Sequence, residues 1–442
     1  MTIYPKNLNS SHITSDLAGV MWLTEFLRFM HPRCCKKTTP SQVSIAKRFP
    51  YANNPTRNSP VGIFRFGGYS TDVIEVQLNN KEFYMQKKII ALAIASALTV
   101  PAMALADTSN VAVYGQVNVS YDFTKTGDSA AGVSGANVNK VSTNASRFGL
   151  KGSEDLGDGL SAIWQIEQSI TADAGGDTLA GRDTFAGLSS KSAGTVRLGN
   201  FDDAYKKSTR KLDVFGDSIA DNRSLMDGGN GTSAGSNFAA RRTNMIQYTS
   251  PNLNGFQVDL GYSNLTEANT TAVAPKRALV TMSAAYDVAP FYGSLAYETH
   301  EVTATNDEKG VKLGLGYTQD AFNVNFVYEK ITDDLTATTS SIEHNAYYLS
   351  GKYSFGNDAV KAAYTKAKSL DGTANSAAKQ WSLGYDHNLS KRTSLYALYT
   401  KLDNDNGIGY AVGALLGNQN SITANGVGAD PSAFSIGMKH SF

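Results

Sequence analysis

The chain is poor in cysteine. Two occur in 442 residues, Cys34 and Cys35, and they are adjacent. A lone adjacent pair lacks the spacing of a zinc motif, and no disulfide or thiolate chemistry is available downstream of it. Tryptophan is scarce, 3 residues against 22 tyrosines. The formal charge of +1 carries no basic excess that would call for nucleic acid as a partner. The main apolar run, Ile89 to Val100, has twelve residues, too short for the roughly 20 that a membrane-spanning helix needs.

That run belongs to a different kind of segment. Met85, Gln86, Lys87 and Lys88 precede it; Pro101 and then Ala104-Leu105-Ala106 follow, before Asp107. A basic start, a short apolar stretch and a small-x-small site make a secretory signal, with cleavage expected after Ala106. Residues 1–84 are then read as an upstream mis-called start or a disordered extension, residues 85–106 as the signal peptide and residues 107–442 as one domain. The last of these carries 28 basic and 34 acidic side chains, a net charge of −6. It contains no cysteine, so an oxidising compartment would add no cross-link.

Within residues 107–442 the dominant signal is a period of two. Val113, Gly115, Val117, Val119 and Tyr121 alternate with Tyr114, Gln116, Asn118 and Ser120; Phe256, Val258, Leu260 and Tyr262 repeat the pattern, as do Val311 to Tyr317 and Phe322 to Tyr328. Successive strand residues point to opposite faces, so each segment has one apolar and one polar face. Sixteen such segments can be counted, starting near 111, 146, 160, 183, 194, 242, 255, 277, 290, 310, 322, 343, 358, 379, 393 and 432. Short turns such as Ser192-Ala193 and Asp320-Ala321 alternate with long polar connections near 122–145, 171–182, 202–241 and 403–431. Turns at one end and loops at the other are the layout of a transmembrane barrel. The expected fold is all-β, a 16-stranded antiparallel transmembrane β-barrel whose lumen holds water.

Specific runs carry a resemblance. Ser146 to Leu160 followed by Ala162 to Glu167, Phe185-Ala186-Gly187-Leu188 with Val196-Arg197-Leu198-Gly199, Asn244 to Tyr248 followed by Ser250 to Phe256, and the ending Ile436 to Phe442 resemble the Gram-negative general porins of the proteobacterial type. The resemblance covers residues 107–442. It implies a homotrimer in outer-membrane lipid, passive diffusion of small hydrophilic solutes and ions, no enzymatic activity, no cofactor, and a third long loop folded into each barrel as the constriction. It also implies that Phe442 serves recognition by the barrel-assembly machinery. Asn200 departs from the family pattern, which often has Arg there.

Residues 202–240 occupy the position of that third loop, with six acidic and five basic residues. By motif position and alternation, Arg147, Arg182, Arg197 and Arg242 are the expected wall cations, and Asp213, Asp217 and Asp221 the loop acids facing them; charged rings at a narrow opening select by size and field. Two other readings stand beside this one. A substrate-specific outer-membrane channel would share the fold. A barrel hydrolase would need Ser, His and an orienting group together on the outer face, and His300 beside Glu301 could begin such a site. Asp403-Asn404-Asp405-Asn406-Gly407 has the look of a calcium loop without its fifth ligand or closing Glu, and is read as a solvated turn. No catalytic or metal site is expected.

Overall fold

A computed structural model describes residues 110–175, 179–228, 238, 240–264, 278–301, 307–334, 342–413 and 421–442. The upstream stretch 1–84 and the signal 85–106 lie outside the described residues. Seventeen strand segments follow in chain order. The first half comprises β1 (Asn110–Lys125), β2 (Asn137–Thr143), β3 (Arg147–Gly157), β4 (Leu160–Ser169), β5 (Thr184–Ser190), β6 (Gly194–Asp202), β7 (Arg241–Thr249) and β8 (Phe256–Asn264). The second comprises β9 (Ala278–Val288), β10 (Phe291–Glu301), β11 (Asp307–Gln319), β12 (Phe322–Asp333), β13 (Ile342–Phe355), β14 (Asp358–Ala367), β15 (Ala378–Asn388), β16 (Thr393–Asn404) and β17 (Ser432–Ser441).

β1 pairs antiparallel with β2, each strand from β3 onward pairs antiparallel with the next, and β17 pairs back onto β1 from Gln116↔Ser441 to Lys125↔Ser432. The sheet therefore closes and leaves no edge, the condition for a sheet in hydrocarbon. On its other side β1 pairs with β3 over Asn110–Gln116 and with β2 over Val119–Lys125. β2 and β3 thus form one stave, and seventeen segments build a sixteen-stranded barrel. Their junction is a break at Asn144–Ser146, where Ala145 has φ +52°. There the Ser146 hydroxyl replaces a ladder acceptor, taking the Asn118 N–H at 2.9 Å. The first long connection is shorter than expected, 126–136 rather than 122–145. Tyr121 and Phe123 simply continue the outward row, paired with Val141 and Asn139.

The alternation sorts as lipid outside and water or loop inside. Leu295, Leu315, Val324, Leu349, Leu383 and Ile436 are each about half exposed on the outer face, while Ser294, Asn325, Ser350, Thr365, Ser382 and Ser435 are buried on the inner one. Tyr286, Tyr317, Tyr353 and Tyr385 are exposed toward the turn end, with Phe291 against Tyr317 and Phe322 against Tyr353 at 5.4 and 4.7 Å between ring centroids. Rings there form one interfacial girdle. Apolar packing lies inside the barrel, between the inner wall and the segment joining β6 to β7.

Candidate pore constriction

The segment between β6 and β7 begins and ends at one point. Asp203 donates its N–H to the Ala240 carbonyl at 3.2 Å, and its Oδ2 accepts from Ala240 N at 3.2 Å. Its Oδ1 caps a single helical turn, Ala204–Lys207, by accepting from Lys206 N at 2.7 Å. Asp at an N-cap satisfies a donor that the helix itself leaves free.

From this neck the chain crosses the lumen. Tyr205 is fully buried, donating its N–H to Thr281 Oγ1 and its hydroxyl to Glu329, each at 3.1 Å. The Ser208 carbonyl accepts from Tyr292 at 2.5 Å and from Ser294 at 2.8 Å. Leu212 lies on Gly314 and Gly316, and Phe215 on Gly384; a Cβ at any of these glycines would come within 2.9 Å of them. Wall glycines thus leave the depth in which loop side chains seat. Further on, Lys312 binds both Asp227 and Glu329, the latter at 3.1 Å, and Glu329 also accepts from Asp227 N at 2.7 Å. At the tip, the Asp217 carbonyl accepts from Asn118 at 3.0 Å and its carboxylate pairs with Arg147 at 3.3 Å, on the far wall. Ile219, Ala220 and Leu225 pack against Leu398, Leu402, Tyr410, Val412 and Ile422.

What remains open beside the loop is a cavity of about 700 Å³. Among the described residues its charged lining is seven basic side chains, Arg147, Arg182, Lys206, Arg210, Lys211, Arg223 and Arg241, and five acidic ones, Glu167, Asp183, Asp202, Asp213 and Asp217. Arg182 pairs with Glu167 at 2.5 Å; Arg241 pairs with Asp183 at 2.6 Å and Asp202 at 3.1 Å. A second cavity of about 630 Å³ opens toward the turn end and shares Lys211, Asp213, Gly216 and Asp217 with the first. The loop crest therefore separates two vestibules.

The loop's acids are largely neutralised within the loop. Arg210 pairs with Asp221 at 3.0 Å, Asp217 at 3.2 Å and Asp213 at 3.7 Å, and Arg223 pairs with Asp221 at 2.9 Å. Burial would raise the Asp221 carboxyl, but these two guanidinium groups overcome it and hold the carboxyl well below its ordinary range. Asp217 is held low in the same way by Arg210 and Arg147. Asp213 goes the other way: burial, then repulsion from Asp221, pushes it up to about 6, although Tyr348 and the N–H groups of Phe215 and Asn222 bond to it.

The structure brings Arg147, Arg182, Asp213 and Asp217 to this opening and sets Arg197, Arg242 and Asp221 behind it. Arg197 faces inward but lies over the rings of Phe185 and Phe201, at 5.0 and 4.5 Å. Arg242 is drawn under the loop by Asp203 at 3.1 Å and Glu298 at 2.7 Å. Asp221 is buried. Sequence reasoning missed Arg241, since strict alternation admits only one of two adjacent arginines. The pairing shifts between Gly199 and Phe201, and Asn244 has φ +51°, so the ladder is irregular just where both arginines turn inward. Arg210, Arg223, Lys206 and Lys211 were visible as loop cations, but nothing local separates those that line an opening from those that do not.

Alternation also disposes of the other two motifs. His300 is buried and bonds Glu298 at 2.8 Å and Glu308 at 3.2 Å, while Glu301, the next residue along the strand, is exposed. Asp403 pairs with Lys401 at 2.5 Å, whereas Asn404 donates to the Tyr410 and Ala429 carbonyls. Gly231-Thr232-Ser233-Ala234-Gly235 has the spacing of a nucleophile elbow; it lies outside the described residues.

A closed sixteen-stranded barrel, apolar outside and crossed inside by a charged loop that leaves an aqueous opening, defines a membrane-spanning diffusion channel. Comparison with known proteins gives it a family. A sequence profile of the Gram-negative porins matches residues 91–407. Outer membrane porin protein 32 of Delftia acidovorans is 31% identical over 378 residues, covering 81% of this chain and all of that one. The anion-selective porin from Comamonas acidovorans superposes with a TM-score of 0.64 at 27% identity, over 76% of this chain and all of that one. OmpT of Vibrio cholerae, in its trimer form, shares the fold at a TM-score of 0.57 and 15% identity, over 76% of this chain and all of that one. The chain belongs to the Gram-negative porin family. It is an outer-membrane porin, a channel for passive diffusion and not an enzyme.

Proposed function

We propose that the segment from Asp203 to Ala240 is the constriction of this porin and that it favours small anions. The observation that carries this reading is the lining of the opening, seven basic against five acidic side chains among the described residues. Arg147, Arg182 and Arg241 are the wall groups, Arg210, Arg223, Lys206 and Lys211 the loop groups, and Asp217 the acid that sets the gap. The second vestibule supports the same sign, with Lys211, Lys352, Lys361, Lys391, Arg392 and Lys439 against Asp213, Asp217, Asp320 and Asp386. Low-dielectric walls concentrate such a field on the passing ion. The similarity to the anion-selective porin from Comamonas acidovorans adds weight. Arg242 and Asp221 act as supports of the loop rather than as the rim, and Arg197 stays in the wall against Phe185 and Phe201.

The test is the zero-current potential of single channels in a planar bilayer under a potassium chloride gradient. The expected sign is that of chloride permeating faster than potassium; a potential of cation sign overturns the reading. The porin assembles as a homotrimer in this reading, and the trimer form of OmpT supports it by fold alone. Chemical cross-linking of native membranes would show a band of three protomers. Phe442 is the contact offered to the barrel-assembly machinery, and the mature chain starts at Asp107, which N-terminal sequencing checks.

A further inference from the structure

On the outward face of β13–β16, at the end of the barrel bearing the long connections, lysines gather just beyond a row of aromatic rings. Tyr347, Tyr364, Trp381 and Tyr399 share that face, with Tyr364 opposite Trp381 and the Trp381 and Tyr399 rings 5.1 Å apart. Two residues further along their strands come Lys366, Lys379 and Lys401, and Lys368 follows in the connection. Two strand residues advance about 7 Å, from the girdle into the headgroup layer. In this architecture the long connections are extracellular, so the layer is that of the outer leaflet.

The arrangement is unfavourable by itself. Lys366 and Lys379 lie directly opposite each other across β14 and β15. Opposite side chains have Cβ atoms about 5 Å apart, and like charges there repel. On its other side Lys366 faces Tyr347, over whose ring the Lys368 ammonium sits at 5.3 Å. Two cations, Lys366 and Lys368, therefore flank Tyr347, and a third, Lys379, stands on the far side of Lys366. The local acid is Asp403, 2.5 Å from Lys401 but 3.8 Å from Lys379; Asp430 also serves Lys401, at 3.9 Å. Among the described residues neither Lys366 nor Lys368 has a carboxylate partner.

A second observation lies on the same strands. Gly351 and Ala362 are opposite each other on the outward face, and their small size opens an apolar groove of about 410 Å³ flanked by Val324, Tyr353, Val360 and Leu383. Ala362 is four residues from Lys366, about 13 Å along the strand, a distance that a single acyl chain spans.

We propose that β13–β16 carry a binding site for a phosphorylated, multiply acylated glycolipid of the outer leaflet. Its phosphate sits between Lys366, Lys368 and Lys379, where charge-assisted hydrogen bonds relieve their mutual repulsion, and one acyl chain fills the groove over Gly351 and Ala362. The site faces away from the lumen, so conduction does not depend on it.

The experiment uses the whole purified porin, delipidated in detergent and mixed with lipid A in bisphosphorylated and dephosphorylated forms, with retained lipid counted by native mass spectrometry. The protein is expected to hold the bisphosphorylated form at least about tenfold more tightly. Substituting Lys366→Gln, Lys368→Gln and Lys379→Gln together erases that preference, and Ala362→Phe weakens retention of both forms. Unchanged single-channel conductance certifies that each variant has folded; Lys366→Gln alone provides the readout if the triple variant does not. Equal retention of the two forms by the native protein, or an undiminished preference in the lysine variant, overturns the site. A normal result for Ala362→Phe overturns its acyl half.

Discussion

The inner surface of this barrel has two unlike sides. Along β9–β16 the wall is covered by the crossing loop, and its polar groups are sealed: the Lys312 side chain is 3% exposed and that of Glu329 0%. Along β3–β7 the wall is open, and Arg147 and its partner Asp217 are each 26% exposed. Both sides use ion pairs, but to different ends. Buried pairs fix where a segment sits, because separating them strands an uncompensated charge. Partly exposed pairs leave their individual charges where a passing ion can feel them. Position is set on one side and preference on the other.

The sharpest way to break this contrast is Lys312→Met. It leaves Asp227 and Glu329 facing each other under the loop without their cation, a loss on the order of 3–5 kcal/mol. The loop should lift from the covered wall, giving a larger and noisier single-channel conductance and a lower melting temperature of the folded barrel; an unaltered conductance would mean that the loop is held elsewhere. Next in size is a pair of neighbours. Arg241→Gln should move the zero-current potential toward cations by a few-fold change in permeability ratio, since Arg241 lines the opening. Arg242→Gln should leave selectivity nearly as it was and lower thermal stability, because it frees Asp203 and Glu298. Equal selectivity shifts for both would erase the distinction between rim and support.

The smallest expected effect is of pH. Asp213 titrates near 6 in the fold against an ordinary 3.8, so its protonated form is favoured by folding. Its contribution to stability is complete below the ordinary carboxylate range and is lost as pH rises through about 6. Lowering pH from 7 to 5 also removes one negative charge from the lining. Anion preference should increase slightly over that range, a change that Asp213→Asn abolishes when permeability ratios are compared at the two pH values.

How much of this could be read from the residues divides along the same line. Strand starts were legible to within a few positions because alternation is local: Val311 to Tyr317 or Phe322 to Tyr328 announce their faces without outside help. The break at Ala145 and the irregular pairing near Asn244 were not, since a bulge depends on what the partner strand does. That is why Arg242 was chosen where Arg241 reaches the opening. Within the loop, charge was visible but not allegiance. Arg210 looks like any solvated cation until the fold sets Asp213, Asp217 and Asp221 around it.

The closed neck at Asp203 and Ala240 bears on how such a channel can change over generations. Since the segment leaves and re-enters the wall at one hydrogen-bonded point, residues can be added, lost or exchanged within it without disturbing the register of β6 against β7. Calibre and container can vary separately, the one drifting with the nutrients a cell meets while the other stays fixed by the thickness of its membrane.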